Sequence, residues 1–204
     1  RPAAPFITST MQQEASRRLR FTARRTMQIA QQLYEGLALG DEGSTGLITY
    51  MRTDSTTVSA GALRETVGFI KSKFGAQYAP KSPRMYTRKV KGAQEAHEAI
   101  RPPSVIREPA AVRQHLTSDQ FRLYDLIWKR MVASQMSDAL FDSTVVTIAA
   151  TGPASPVQYN FRATGSVLKF PGFRVLYMET PDEAADEQKE EAAPLPNLTE
   201  ADPL

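Results

Sequence analysis

Apolar residues recur at helical spacing through most of the first 140 positions, and strand-like alternation replaces that pattern afterwards. Residues 8–20 predict a first helix, with Thr10 and Gln13 as a capping box or Thr8 or Ser9 as the cap. Residues 22–34 predict a second, capped by Thr22 and closed near Gly36. Its apolar stripe is Ala23, Met27, Ala30, Leu33 and Tyr34; Arg24, Arg25, Gln28 and Gln32 lie off it. A Gly-rich loop at 37–45 leads into a short strand at 47–50. Leu63, Val67, Ile70 and Phe74 mark a third helix over 59–74, with Gly75 after its end. Residues 76–92 are Pro-rich and basic, and a short helical segment at 94–100 stops at Pro102 and Pro103. The longest helix is expected at 117–135, opened by a Thr117/Gln120 capping box and lined by Phe121, Tyr124, Ile127 or Trp128, and Met131.

Beyond residue 140 the runs shorten. Residues 141–149 and 157–163 read as strands, and 166–170 and 174–178 continue extended on either side of Pro171-Gly172. The fold class is therefore α+β: a helical part over 1–139, antiparallel strands over 140–180, and an acidic, irregular tail over 181–204.

Charge sharpens this division. The net charge of +3 conceals a segment, residues 179–204, with nine acids and one lysine. The remainder carries 24 basic and 13 acidic residues, a surplus of eleven positive charges. Such a surplus favours a polyanionic partner, although a solvated basic surface would have the same composition. No apolar run reaches the roughly 18 residues of a membrane helix, and the opening Arg-Pro-Ala-Ala-Pro lacks the apolar core of a signal peptide. The chain has no cysteine, which excludes disulfides and thiolate chemistry and fits a cytoplasmic setting. With only His97 and His115, a metal site built within this chain is not expected.

Residues 46–55 read Gly-Leu-Ile-Thr-Tyr-Met-Arg-Thr-Asp-Ser. In an extended chain Tyr50, Arg52 and Asp54 share a face. A phenol beside a fixed guanidinium suits attack on a phosphodiester. The phenol, ordinarily protonated at neutral pH, must lose its proton, while arginine can bind non-bridging oxygens through its two-pronged donor edge. Asp54 could orient Arg52. A half-buried strand-end tyrosine with a surface arginine is the plainer reading of Tyr-x-Arg alone. A second constellation lies in Ala93-Gln-Glu-Ala-His-Glu-Ala-Ile-Arg-Pro102. If helical, His97 and Arg101 share a face and could clamp a phosphate, and Glu98 could pair with Arg101. The basic stretch 81–91, with Tyr86, could track unpaired bases or be only a solvated loop.

The stretch at 46–55 resembles the active-site signature of type IA DNA topoisomerases of bacteria. The resemblance begins at Pro5-Phe-Ile-Thr-Ser-Thr and runs through Met11-Gln-Gln-Glu-Ala-Ser and residues 25–36. It continues through 46–55 and 94–102 and fades into the strands after Phe141. Met51 favours the topoisomerase I branch. Pro103 and Arg20 depart from the pattern, standing where a hydroxyl residue and a glycine are common.

The resemblance implies that Tyr50 forms a covalent link to a DNA 5′ phosphate, that Arg52 contacts the scissile phosphate, and that His97, Arg101 and Asp54 serve DNA binding. It implies a toroidal enzyme that relaxes negative supercoils in the nucleoid without ATP. The tyrosine domain would be helical, and a β-rich arch would follow. Magnesium would be bound by an upstream acidic domain, so the chain reads as a fragment needing the missing domains of its parent and inactive alone. The alternatives are a non-enzymatic module that binds single-stranded nucleic acid and a domain whose basic face docks an acidic protein.

Overall fold

The computed structural model of the chain describes residues 1–40, 43–86, 97–151 and 158–178. Two compact units emerge. One is helical and contains residues 1–138 together with the returning segment from Gly172. The other holds the two strands between Ala139 and Pro171. The acidic tail, and the part of the predicted 94–100 helix before His97, lie outside the described residues.

Helix α1 spans Thr8–Glu14 and runs on into a π-helical turn, Ala15–Leu19. At its start the Ile7 N–H donates to the Thr10 hydroxyl at 3.1 Å, so Thr10 serves the preceding residue rather than beginning the helix. The turn ends on Arg20, whose φ of 60° is the only positive value at a non-glycine position among the described residues. Helix α2, Ala23–Glu35, is capped as the sequence predicts: the Arg25 N–H donates to the Thr22 hydroxyl at 3.2 Å. The predicted loop after it contains a small hairpin, β1 (Leu37–Ala38) paired antiparallel with β2 (Ser44–Thr45). Helix α3 covers Ala60–Phe74 and buries Leu63, Thr66 and Ile70. Thr66 takes the core place expected for Val67 because its hydroxyl donates to the Ala62 carbonyl at 2.7 Å, which satisfies it inside the helix.

A short helix α4, Pro109–Val112, precedes α5, Ser118–Ser134. The α5 capping box forms in full: the Gln120 N–H reaches the Thr117 hydroxyl at 3.3 Å and the Thr117 N–H reaches the Gln120 side-chain oxygen at 2.9 Å. Helix α5 is buried on several sides, with Leu123, Tyr124, Ile127 and Met131 within the core. The core continues through Phe6, Met11, Leu33, Leu47, Met51, Ile70 and Ile100.

Strands β3 (Leu140–Thr151) and β4 (Gln158–Phe170) form one antiparallel ribbon with a bulge between Leu140 and Phe141. The two strands read separately at 157–163 and 166–170 are thus one. Tyr159, Phe161 and Val167 are exposed along β4, so its alternation does not bury one face within this ribbon. The segment expected to be extended at 174–178 instead opens with a tight helical turn, Gly172–Val175. Gly172 has φ of +50°, and a Cβ there would lie 2.3 Å from the Asp138 carbonyl oxygen. The Phe173 N–H donates to the Ser137 carbonyl at 3.0 Å. The chain therefore leaves the helical unit and re-enters it at one point.

The returning segment ends in a buried polar cluster. The Tyr177 hydroxyl donates to the Glu14 carboxylate at 2.7 Å, and Arg130 donates to the Tyr177 oxygen at 3.3 Å. Arg18 pairs with Glu14 at 2.9 Å and lies over the Tyr177 ring, 4.5 Å from its centroid. Burial pushes the Tyr177 phenol well above its ordinary titration range, and the Glu14 carboxylate pushes the same way, against the nearby arginines.

Candidate active site

The tyrosine segment is held by its backbone and not by a sheet. Leu47 donates its N–H to the Leu33 carbonyl of α2 at 2.7 Å. This close approach needs Gly46, where a Cβ would stand 2.9 Å from the Tyr34 carbonyl oxygen. Two threonines then fasten the segment on either side. The Thr8 hydroxyl accepts from the Thr53 N–H at 2.9 Å and lies 2.8 Å from the Met51 carbonyl oxygen as a donor. The Thr49 hydroxyl donates to the Ala99 carbonyl at 2.7 Å and accepts from the Arg101 N–H at 3.0 Å. The Thr49 N–H donates to the Arg101 carbonyl at 2.9 Å.

The strand predicted at 47–50 is thus corrected to an irregular segment. Its hydrogen bonds go to three different neighbours instead of one ladder. The alternation survives all the same: Met51 and Thr53 are buried, while Tyr50, Arg52 and Asp54 are exposed. The anchoring bonds fall on the alternate, buried or half-buried positions, which leaves the other three side chains at the surface.

Tyr50 lies between two rings. Tyr34, at the end of α2, meets it edge-on at 5.4 Å between centroids; His97 tilts against it at 5.6 Å. Sequence reasoning placed Tyr34 on the apolar stripe and missed it as a neighbour of Tyr50. Its exposure is 41%. The available signal was its position at the stripe's end, two residues before the helix-closing glycine. Tyr124, which is buried, and Tyr86, which is half-buried, differ. Tyr124 donates to the Arg107 carbonyl at 2.7 Å, Tyr86 to the Ser134 carbonyl at 2.8 Å, and burial raises both phenols.

His97 arrives by an extended path and not on a helix. Ala99 donates its N–H to the Thr57 carbonyl at 2.8 Å, and Ile100 donates to the Phe6 carbonyl at 2.8 Å in an isolated antiparallel bridge. Proline at 102 disfavours helical backbone at Arg101, and these partners fix the extended alternative. His97 and Arg101 consequently share no helix face. Arg101 is buried: it donates to Glu98 at 2.7 Å, to the Pro102 carbonyl at 2.9 Å and to the Ser59 hydroxyl at 3.4 Å. It braces the His97 segment from within. Arg52 and Asp54, by contrast, have no ion-pair partner among the described residues. Arg52 opens onto a groove of about 1200 Å³ between α2 and the start of α5. Among the described residues no group of three or more His, Asp or Glu side chains could hold a metal ion, and no helix is long and apolar enough to cross a membrane.

Comparison with known proteins identifies the family. A DNA topoisomerase family model matches residues 1–204. The chain is 52% identical over 196 residues to DNA topoisomerase 1 of Xylella fastidiosa, covering 96% of this chain and 23% of that protein. It is 47% identical over 203 residues to DNA topoisomerase 1 of Rickettsia felis, covering 100% of this chain and 25% of that one. The solved structure of full-length topoisomerase I from Thermotoga maritima superimposes with a TM-score of 0.70 at 38% identity, over 89% of this chain and 28% of its own. The chain therefore spans about a quarter of the length of these relatives. With its helical unit, its antiparallel ribbon and its matched length, the chain belongs to the DNA topoisomerase family, as a region of the type IA fold.

Proposed function

We propose that this region carries the nucleophile of a type IA DNA topoisomerase, and that the nucleophile is Tyr50. The observation that carries the reading is an exposed phenol, flanked by His97 and Tyr34, on a segment whose backbone is pinned at Thr8 and Thr49. The Tyr50 oxygen forms a bond to phosphorus as the bond to the 3′ oxygen breaks. The phenolic proton leaves, and the departing 3′ oxygen takes up a proton. The 5′ end is then held as a phosphotyrosine ester, whose energy allows the 3′ hydroxyl to reseal the strand without ATP. Arg52 offsets charge on the non-bridging oxygens, and positioning of this kind supplies most of the catalysis in phosphoryl transfer. His97, whose ring lies 5.6 Å from that of Tyr50 between centroids, holds DNA near the reacting phosphate in this reading.

Magnesium, in this reading, is bound by an acidic domain upstream of these residues in a longer protein. Passage of one strand through the break, relaxation of negative supercoils and a place in the nucleoid are properties of that whole protein in this reading. The 204 residues alone bind single-stranded DNA weakly and do not cleave it. The test is Tyr50→Phe in the full-length protein. Loss of the covalent DNA adduct with retained binding supports the nucleophile; an adduct at wild-type level rejects it. A purely binding module is the second reading, favoured by the basic groove beside Arg52, and covalent capture of DNA at Tyr50 excludes it.

A further inference from the structure

Burial withdraws Arg101 from the surface, and its contacts turn to the two segments that carry Tyr50 and His97. The residue is 8% exposed. Its Nε and Nη2 both donate to the Glu98 carboxylate, Nε at 2.7 Å. Nη1 donates to the Pro102 carbonyl at 2.9 Å and to the Pro103 carbonyl at 3.3 Å. Nη2 also donates to the hydroxyl of Ser59, the residue before α3, at 3.4 Å. A planar guanidinium fixes the directions of its donors, so these partners together define one conformation of residues 98–103.

The backbone of the same residue grips the tyrosine segment. Its N–H donates to Thr49 Oγ1 at 3.0 Å, and its carbonyl accepts from the Thr49 N–H at 2.9 Å. Thr49 Oγ1 donates in turn to the Ala99 carbonyl at 2.7 Å. Thr49 directly precedes Tyr50, and Glu98 directly follows His97. One buried arginine therefore holds the immediate neighbours of two rings that stand 5.6 Å apart between centroids. Tyr50 and His97 are both exposed, so core packing does not set that distance; the clasp behind them does.

We propose that Arg101 is a positioning residue: by clasping Glu98 and Thr49 it sets His97 against Tyr50, and it acts on DNA cleavage only through His97. The proposal rests on the reading of Tyr50 as nucleophile and of His97 as a group that holds DNA.

Two variants of the full-length protein test it, each made alone and together with His97→Ala. Arg101→Lys keeps the charge but has no planar fork to span Glu98, Ser59 and both proline carbonyls. Glu98→Gln keeps the shape and removes the charge at a side chain that is only partly buried, so it loosens the same clasp at a smaller cost to folding. The rate of covalent adduct formation is measured beside the melting temperature. Each variant should slow adduct formation about tenfold, below the roughly hundredfold that a misplacement of about 1 Å can cost. In the His97→Ala background the same substitution should change the rate by less than about twofold, because effects routed through one residue do not add. The shift in melting temperature should be equal in both backgrounds, which a merely structural role shares, whereas the vanishing rate effect is peculiar to positioning. A tenfold loss that persists in the His97→Ala background overturns the proposal, as does an unchanged rate in Glu98→Gln alone. A second readout is the nuclear Overhauser contact between the Tyr50 and His97 rings in the 204-residue chain. It should be present in the wild type and lost in Glu98→Gln; its persistence in that variant, or its absence from the wild type, overturns the proposal. This readout involves no covalent chemistry. An adduct that survives Tyr50→Phe would instead defeat the nucleophile reading and leave the ring contact to judge the positioning.

Discussion

Tyr50 and Tyr177 lie in the same helical unit and are supplied with the same kinds of side chain, but the environments have opposite consequences. Around Tyr177 the carboxylate and the arginines are all directed inward: Glu14 accepts the phenol's hydrogen bond, Arg18 covers the ring, and Arg130 reaches its oxygen. Burial then holds that phenol protonated. Around Tyr50 the binding capacity is spent on the backbone by Thr8 and Thr49, and the arginine is left facing solvent. A reactive phenol needs a rigid support whose own side chains are free. A structural phenol needs those side chains for itself.

Exchanging the two roles is the strongest way to break this comparison. Tyr50→Phe in the full-length protein should cut covalent adduct formation by more than about a thousandfold. Stability should move by no more than about 0.5 kcal/mol, because the side chain is exposed. Chemical denaturation and adduct gels on the same samples check both halves. Glu14→Gln acts on the other region. It weakens the charge-assisted bonds to Arg18 and Tyr177 and should cost about 2–3 kcal/mol, with adduct formation preserved under conditions where the protein is folded.

A pH series sharpens the contrast further. The folded pKa of Tyr177 is raised above the ordinary value of 10.0, so its contribution is fully present below that value and declines as pH rises past it. At pH 11 the loss should be about 1.4 kcal/mol for this residue. The wild-type melting temperature should therefore fall more steeply above pH 10 than that of Tyr177→Phe; parallel curves would contradict the burial argument. The smallest effect concerns Arg20. Its left-handed backbone costs a side-chain-bearing residue about 1 kcal/mol, and Arg20→Gly should recover roughly that amount in a thermal melt. This also gives a physical reason why glycine suits the position.

The helix beginnings were legible because they depend on local chemistry. Thr22 and Thr117 cap α2 and α5 through residues three positions away, and nothing distant is needed. The exposure of Tyr50, Arg52 and Asp54 was legible for a related reason, since alternation requires only an extended local path. What the sequence concealed was where the backbone bonds go. Residues 47–53 pair with the carbonyl of Leu33, the hydroxyl of Thr8 and the segment after His97, all remote in the chain. Thr57, Phe6 and Thr49, equally remote, pull residues 99–101 out of the helix that Glu98 and Arg101 suggest locally. Arg101 was read as a phosphate clamp with His97 from their helical spacing; its pairing with Glu98 was foreseen, but its burial became visible only once Ser59 and the two proline carbonyls were seen around it.

The contact between Gly172 and the Asp138 carbonyl makes residues 139–171 an insertion in the engineering sense. Departure and return share one doorway, so the ribbon can be shortened, extended or exchanged without re-threading the helical core. Joining residue 138 to residue 172 through a tight turn should give a minimal unit that keeps the Tyr177 cluster and presents Tyr50 unchanged. In that sense the tyrosine platform is a transferable part, and the width of the doorway at Gly172 sets what can be attached to it.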